Sequence, residues 1–172
     1  MSTDESSRRW TLDPARSVVE FRVGAFWGLG TVEGRVERFD GWYEVGPDGA
    51  HLELALDAAS IETGNAMIDE RVRDAVRGQS QVRFSSTRID EQDGVLRIAG
   101  VADAVGRTQQ VTALATIARR GTDVDIESTT IVDDFGRGVP AGPLTMLRPP
   151  GMLHVKVRFA AAGSAAAARN VA

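Results

Sequence analysis

The sequence predicts a mainly β protein in which about eight antiparallel strands form a barrel, accompanied by one short amphipathic helix. Apolar and polar residues alternate along most of the chain, and this period of two is typical of strands with one buried face. Asp93-Gly94 and Gly121 separate alternating segments and mark hairpin turns. The clearest predicted strands are residues 19–23, 51–57 and 153–159, and noisier alternation predicts strands at 82–89, 95–101, 111–119 and 124–132. Eight strands enclose an interior just wide enough for packed side chains or one elongated ligand.

The alternation is broken once within residues 31–45. Val32 and Val36 share one parity, whereas Tyr43 has the other. A bulge or a sharp bend at residues 37–38 would turn the apolar side chains back to the interior, and such bends let a long strand curl around a barrel. We therefore expect the chain to change direction there.

One segment between residues 65 and 78 has helical periodicity. Its apolar residues fall on one face of a helix: Ile68, Val72, Ala75 and Val76. Thr63 or Asn65 is suited to cap the start of this helix, and Gly78 its end. We interpret the helix as a plug at one end of the barrel. Met67, Ile68 and Val72 are candidates for the wall of a ligand pocket.

The composition favours a soluble protein that binds neither nucleic acid nor membrane. The 172 residues, of which 42% are hydrophobic, are enough for one domain with a sizeable core. No segment approaches the roughly 18 apolar residues of a membrane span, so we expect no stable membrane insertion. The 20 basic residues are scattered and outnumbered by 24 acidic ones, which disfavours nucleic acid. An apolar small molecule remains the expected partner, and homodimerisation stays open.

The chain divides into one domain and two tails. Residues 1–8 form a polar tail, residues 9–161 the barrel domain, and residues 162–172 an alanine-rich tail; we expect both tails to be flexible. The first residues lack the apolar core of a secretory signal, and the chain has no cysteine for disulfides. We therefore expect a cytoplasmic protein.

The residue types that perform catalysis or bind metals do not form a recognisable site. His51 and His154 both occupy the polar parity of their strands, so we expect them to face solvent. No Gly-x-Ser-x-Gly motif is present, and Asp133-Asp134 is interpreted as a pair of solvated turn residues. We therefore expect no catalytic residue, no metal ligand and no enzymatic activity.

The connection between residues 135 and 152 is unusually apolar. Large apolar side chains in a loop need something to cover, so these residues either cap the core or form the rim of a pocket. Phe26-Trp27 would supply a matching aromatic rim. Arg148 is placed to bind a polar head group while the adjacent Leu147 and the nearby Met146 contact an apolar tail.

Three segments carry a resemblance to a known family: residues 10–17 (WTLDPARS), 26–35 (FWGLGTVEGR) and 57–65 (DAASIETGN). From about residue 10 to residue 159 the chain resembles the YceI-like family of polyisoprenoid-binding, lipocalin-like barrel proteins, and within it a subgroup that lacks a leader. The resemblance implies an eight-stranded antiparallel lipocalin-like barrel that holds a long apolar amphiphile, of polyisoprenoid or isoprenoid-quinone type. It implies no cofactor other than such a bound lipid.

The chain departs from the family pattern at polar positions. Gly24-Ala25 stands where many members carry Lys-His, and residues 68–73 read IDERVR where the family's helix motif reads Arg-Asp-x-His-Leu-Arg. The family's commonest polar pocket groups are therefore missing, and the resemblance does not fix the ligand.

Three hypotheses about function follow. The first is binding, storage or transport of the amphiphile, the second a small enzyme with Asp103, Asp133 or Asp134 as base, and the third a filled barrel that binds a protein. For the first, the candidate ligand-binding residues are Phe21, Val23, Phe26, Trp27, Leu29, Met67, Ile68, Val72, Phe84, Leu96, Ile98, Phe135, Leu144, Met146, Leu147, Arg148 and Met152.

Overall fold

Antiparallel strands make up most of the structure, a computed structural model that describes residues 7–25, 30–104, 106–132 and 147–161. Side chains are described in these ranges except at residues 23–25, 30, 131–132, 147–153 and 161. The strands are β1 (Arg8–Leu12), β2 (Val18–Ala25), β3 (Gly30–Val36), β4 (Phe39–Gly46), β5 (Gly49–Asp57), β6 (Ile61–Glu62), β7 (Gln81–Gln92), β8 (Val95–Ala104), β9 (Arg107–Arg120), β10 (Asp123–Val132) and β11 (Leu147–Ala161). The same ranges contain helix α1 (Ala66–Ala75) and two 3-10 turns, Pro14–Arg16 and Ala58–Ser60.

Eight of these strands close into the predicted antiparallel barrel. Their order is β1-β4-β5-β7-β8-β9-β10-β11, and β11 pairs back to β1, with Phe159 opposite Leu12. The remaining strands, β2, β3 and β6, lengthen one end of the barrel, and we call them the extension. Strand β2 pairs with β11, β3 with β2, and β6 with β3. Strand β1 begins at Arg8, the last residue of the predicted polar tail, and the predicted tail residues 1–6 and 162–172 lie outside the described residues.

The predicted change of direction at residues 37–38 is confirmed as a bend that ends one strand and starts another. Strand β3 stops at Val36, the chain bends at Glu37, and β4 begins at Phe39. Strand β3 hydrogen-bonds to β2 and β6, whereas β4 hydrogen-bonds to β1 and β5. At this bend the chain therefore leaves the extension and enters the eight-stranded barrel.

The chain turns between β1 and β2 at a segment that begins with Asp13 and ends with Ser17. The amide of Asp13 donates to the carbonyl of Arg158 at 2.8 Å, and the hydroxyl of Ser17 donates to the carbonyl of Asp13 at 2.6 Å. The same Ser17 hydroxyl accepts from the amide of Arg158 at 2.9 Å. Both the amide and the carbonyl of Arg158, on β11, are therefore hydrogen-bonded to this turn.

The path from β5 to β6 is broken by a turn built in the same way. Asp57 donates its amide to the carbonyl of Arg38 at 2.9 Å, and the Ser60 hydroxyl accepts from the Arg38 amide at 2.8 Å. The Arg38 side chain also donates to the Asp57 carboxylate at 2.7 Å. The resulting salt bridge lowers the pKa of Asp57. Two equivalent corners thus turn strands out of the closed ring.

Aromatic side chains fill the barrel at the end opposite the extension. The rings of Trp10 and Tyr43 stack with centroids 5.5 Å apart, and Phe159 lies 6.0 Å from Tyr43. The indole of Trp10 donates to the carbonyl of Thr122 at 2.9 Å, so its one polar group is paired. Burial raises the pKa of the Tyr43 hydroxyl. We call this end of the barrel the closed end.

The predicted hairpin turns both lie at the closed end. Asp93 and Gly94 have φ angles of 52° and 76°, as the two-residue turn between β7 and β8 requires. Gly121, with φ at 63°, joins β9 to β10. The prediction from the Asp-Gly pair and the isolated glycine is therefore confirmed.

The predicted helix is confirmed as α1, with Asn65 as its cap. The side chain of Asn65 accepts from the amides of Met67 and Ile68 at 3.1 and 3.3 Å. Val72 and Val76 are buried, and α1 packs against the 3-10 turn Ala58–Ser60 and β6. None of the helices in the described ranges has the length and apolar content that a membrane crossing requires.

One position on the predicted apolar face of α1 is wrong. Ala75 is exposed, whereas Asp69, which is not among the predicted apolar residues, is buried. The carboxylate of Asp69 accepts from the amide and the hydroxyl of Thr63 at 2.9 and 2.7 Å. These bonds hold Asp69 toward the chain that precedes the helix. The buried face of α1 is therefore centred nearer Asp69 than the hydrophobic pattern alone indicates.

We expect the ion pairs of Asp125 to make the stability depend on pH. Its carboxylate accepts from Arg158 and from Arg120, and the bond from Arg158 is the main cause of its lowered pKa. A carboxyl with a lowered folded-state pKa stabilises the protein above its unfolded pKa of about 3.9, and this stabilisation is lost as the pH falls through the folded value. Asp125→Asn should therefore cost about 1 kcal/mol at pH 7.

Urea unfolding of the wild type and Asp125→Asn at pH 7 and at pH 3 checks this expectation. The difference between the two proteins should shrink at the lower pH, because pH 3 lies below the unfolded pKa of residue 125 and the stabilisation from its lowered folded-state pKa is then partly lost. A difference that is equal at both pH values would contradict the role of the ion pairs.

Candidate functional site

The inward-facing side chains become less buried from the closed end toward the extension. On β8, Leu96 is 0% exposed and Ile98 is buried, whereas Ala102 and Ala104 are half-buried. All four residues have the same parity and face the interior. Side chains therefore fill the half of the barrel next to the closed end, which we call the closed or filled half. In the other half, which we call the open half, the inward side chains are less buried.

Neighbouring strands show the same gradient. On β9 it runs from buried Ile117 and Ala115 to half-buried Ala113 and Val111. On β5 it runs from buried Leu52 to half-buried Leu54 and Leu56, and on β11 from Phe159 and Val157 to Val155. The half-buried inward residues of the open half are Leu54, Leu56, Val82, Phe84, Ala102, Ala104, Val111, Ala113 and Val155.

Two glycines give space to aromatic rings of neighbouring strands. Gly100 lies on the inner surface of β8, and a Cβ atom there would come within 2.5 Å of Cζ of Phe84. The Phe84 ring therefore lies flat against the backbone of the next strand instead of crossing the interior. Gly34 provides the same space for the ring of Phe21, whose Cζ lies 2.6 Å from the corresponding Cβ position.

The inward hydroxyl groups of the open half are bonded to the barrel wall or to each other. The hydroxyl of Ser86 accepts from the amide of Leu52 at 2.8 Å. Ser128 donates to the carbonyl of Leu114 at 2.7 Å and lies 3.1 Å from the hydroxyl of Thr130. These groups have partners within the protein, so the described inner surface of the open half is effectively apolar as far as the rim, where Gln109 and Arg107 have inward parity.

Strands β9 and β10 separate in the open half. Their described pairing ends where Ala115 lies opposite Ser128. Beyond that point β9 stays paired with β8 as far as Arg107, and β10 stays paired with β11 as far as Val132. Leu114, next to the point of separation, is 62% exposed.

The sequence-predicted site residues are divided between the two halves. Phe84 lies in the open half, Leu96 and Ile98 lie in the filled half, and Phe21 is buried on β2, within the extension. On α1, Val72 is buried, Ile68 is half-buried and Met67 is 63% exposed. Met67 is thus the least enclosed candidate among the described side chains.

The remaining candidates fall where side chains are not described. Val23, Leu147, Arg148 and Met152 are described by their backbone alone, and Leu147 and Arg148 lie opposite Ala25 and Gly24 of β2. Six candidates lie outside the described residues: Phe26, Trp27, Leu29, Phe135, Leu144 and Met146. Their roles at a pocket rim stay predictions.

Sequence reasoning missed most of the inner surface of the open half. Leu54, Ala102, Ala113 and Val155 share the inward parity of their strands, and that parity was available from the alternation. Their function as lining was not apparent because alanine is common on both faces of a sheet. The signal that would have found the open half is the shift from large to small residues along one parity of β8, from Leu96 and Ile98 to Ala102 and Ala104.

The polar residues considered for catalysis or metal binding lie on outer surfaces. His51 is exposed, and His154 is half-buried, with Nδ1 2.8 Å from the Thr129 hydroxyl. Asp103 has outward parity on β8 and accepts from the hydroxyl of Thr108 at 2.5 Å. Among the described side chains, no three His, Cys, Asp or Glu residues are grouped so that they could hold a metal ion. Asp133 and Asp134 lie outside the described residues.

Solved structures share this fold. The crystal structure of Burkholderia cenocepacia BcnA superimposes with a TM-score of 0.74 at 17% identity, and the alignment covers 86% of this chain and 98% of BcnA. A Campylobacter jejuni YceI protein superimposes with a TM-score of 0.64 at 12% identity, over 76% of this chain and 85% of that protein. No curated protein sequence matches this chain. The model of the YceI-like domain matches residues 10–162, so the chain belongs to the YceI-like family.

Proposed function

We propose that this protein binds a long apolar amphiphile, of polyisoprenoid or isoprenoid-quinone type, in the open half of its barrel, and that it stores or carries this ligand without transforming it. The observation that supports the proposal is the burial gradient: apolar side chains such as Leu54, Phe84 and Val155 face the interior yet remain half-buried. Apolar surface of this kind is stabilised when a ligand covers it. A cytoplasmic location is part of the proposal, and cell fractionation tests it.

The dimensions of the open half favour an elongated ligand. A strand rises about 3.3 Å per residue, so the stretch of β9 from Ala113 to Arg107 spans roughly 20 Å, with apolar Ala113 and Val111 in its inner part and Gln109 and Arg107 at the rim. Each methylene buried along such a surface contributes about 0.8 kcal/mol before ordering costs are subtracted. Affinity should therefore come mainly from the length of the tail.

The arrangement gives less support to an enzyme. A general base would need to face the interior, and the described inner surface of the open half carries apolar residues and hydroxyl groups that already have partners. Asp103, one of the three acids considered, points away from that surface and bonds to Thr108. Binding without catalysis is therefore the function that these residues favour.

We expect Ala113→Trp to block the site. The indole would enter the open half from a half-buried, inward-facing position and occupy the volume that the ligand needs. Binding of a fluorescent prenol analogue to delipidated protein should weaken at least about 10-fold, which corresponds to the loss of 1.4 kcal/mol or more. The melting temperature should change little, because an open interior accommodates the ring.

Thr112→Trp is the matched control, since the neighbouring residue faces outward and is exposed. It should bind the analogue as the wild type does. A large fall in melting temperature for Ala113→Trp would indicate overpacking of a filled interior, which would favour the filled barrel that binds a protein. Organic extraction and mass spectrometry of the purified protein provide an independent test, because an occupied site should yield a lipid-like species.

A further inference from the structure

A polar notch of about 740 Å³ lies at the mouth of the open half. One side of the notch is the chain that follows α1, with Gln79 and Gln81, and the other is the β8–β9 hairpin, with Asp103, Arg107 and Thr108. A Cβ atom on Gly106 of the hairpin would lie 3.6 Å from the Gln79 side-chain oxygen, so the two sides approach each other closely.

The notch meets the inner surface at the rim of the barrel, where Ala104 and Arg107 have inward parity; its other strand residues, Gln81, Asp103 and Thr108, have outward parity. The inward parity of β9 runs from Ala113 through Val111 to Gln109 and Arg107, and the last two residues are exposed. Ala104, the last inward residue of β8, also lines the notch. The surface thus changes from apolar to polar along β9, from the interior toward the rim. An amphiphile whose tail points toward the closed end has its groups in the same order.

The charges around the notch do not favour an anion. Asp103 and Arg107 are its charged lining residues, so their formal charges cancel. The chain from Val76 to Gln79 closes the carboxyl end of α1, where the helix dipole adds partial negative charge. The amide of Gln79 offers both donors and an acceptor, whereas the Gln81 side-chain oxygen already accepts from Arg83 at 3.4 Å, which leaves the Gln81 amide nitrogen to donate. Arg83 is itself paired with Glu53 at 3.8 Å, so this pair adds no net charge beside the notch. A phosphate group, with a charge of about −1.5 to −2 at pH 7, would meet no excess of positive charge here.

We propose that this notch holds the head group of the bound amphiphile and that it selects an uncharged alcohol or carbonyl over a phosphorylated head. The inference rests on the proposed function, because it assumes an apolar tail in the open half. Gln79 and Gln81 bond the head group from the helix side. The carboxylate of Asp103 repels a phosphate.

Three ligands with tails of 20 carbon atoms test the inference: geranylgeraniol, geranylgeranyl monophosphate and the hydrocarbon phytane. Their dissociation constants are measured by displacement of a fluorescent apolar probe from delipidated full-length protein. The wild type should bind the alcohol at least about 10-fold more tightly than the monophosphate, which is a difference of 1.4 kcal/mol. Gln79→Leu should weaken the alcohol about 5-fold through loss of a hydrogen bond and leave phytane unchanged.

Two further variants separate charge and position. Asp103→Lys should strengthen binding of the monophosphate several-fold and leave phytane unchanged, because Asp103 is exposed and faces away from the interior. Gln92→Leu makes the same change as Gln79→Leu at an exposed residue of the closed end and should alter none of the three affinities.

The outcomes distinguish the notch from the proposed function. If phytane binds but the monophosphate binds as tightly as the alcohol, or if Gln79→Leu affects all three ligands equally, the head-group site is wrong while the apolar site stands. If none of the three ligands binds, both the proposed function and the head-group site are overturned.

Discussion

Phe159→Ala should lower the free energy of unfolding by about 3–5 kcal/mol, the usual cost of truncating a buried aromatic ring. Phe159 is 0% exposed and lies where the barrel closes, opposite Leu12 of β1 on one side and Val124 of β10 on the other. Its ring also packs against Tyr43. The substitution removes contacts to three strands at once, and the surrounding backbone is hydrogen-bonded too firmly to collapse into the cavity. Urea unfolding of delipidated protein measures the change without a contribution from ligand.

Lys156→Ala is the control on the same strand. Lys156 is exposed and its contact with Glu127 is 4.0 Å long, so the change should stay within about 0.5 kcal/mol. A loss below about 1 kcal/mol for Phe159→Ala would mean that the closed end tolerates a cavity and does not carry the stability of the barrel.

Val72→Asp should destabilise the protein by about 2–4 kcal/mol, because it places an unpaired carboxylate on the buried face of α1. Val72 is 8% exposed and packs in the region between α1, the 3-10 turn Ala58–Ser60 and β6. An isolated helix of ten residues is not stable in water, so loss of this packing should unfold α1 as well. Thermal unfolding and far-ultraviolet circular dichroism measure the two effects.

Glu70→Ala, on the exposed face of the same helix, should leave both measurements unchanged. If Val72→Asp melted like the wild type and kept its helical signal, the helix would not depend on its contact with the extension. The interpretation of α1 as part of the barrel end would then be wrong.

The fold was predictable because its signals are local. The alternation of β8 and β9, the Asp-Gly turn between β7 and β8, and the Asn65 cap each involve residues close together in the chain. The break in parity before Phe39 correctly placed a bend, because a change of parity has to be absorbed where it occurs. Strand number and curvature together were sufficient to favour a barrel.

The division of the interior into two halves was not predictable in the same way. Leu96 and Ala102 have the same parity on β8, and their burial differs because of residues that lie on other strands, such as Tyr43 and Phe159. Inward parity alone therefore placed Leu96 and Ile98 beside Phe84 as ligand candidates, although the structure puts them in the filled half. The separation of β9 from β10 likewise depends on long-range pairing that no local pattern encodes.

Among the described residues the tightly packed core lies at the closed end, so the proposed binding end of the barrel can change without risk to the fold. The aromatic cluster around Tyr43 supplies rigidity independently of any cargo, so residues at the other end are free to vary in size and polarity. The positions at which this chain departs from the family pattern, Gly24-Ala25 and residues 68–73, belong to β2 and α1, which lie away from that cluster. Under the proposed function, relatives with the same scaffold are expected to differ in the ligand they bind, and the scaffold itself is a suitable starting point for engineering new small-molecule carriers.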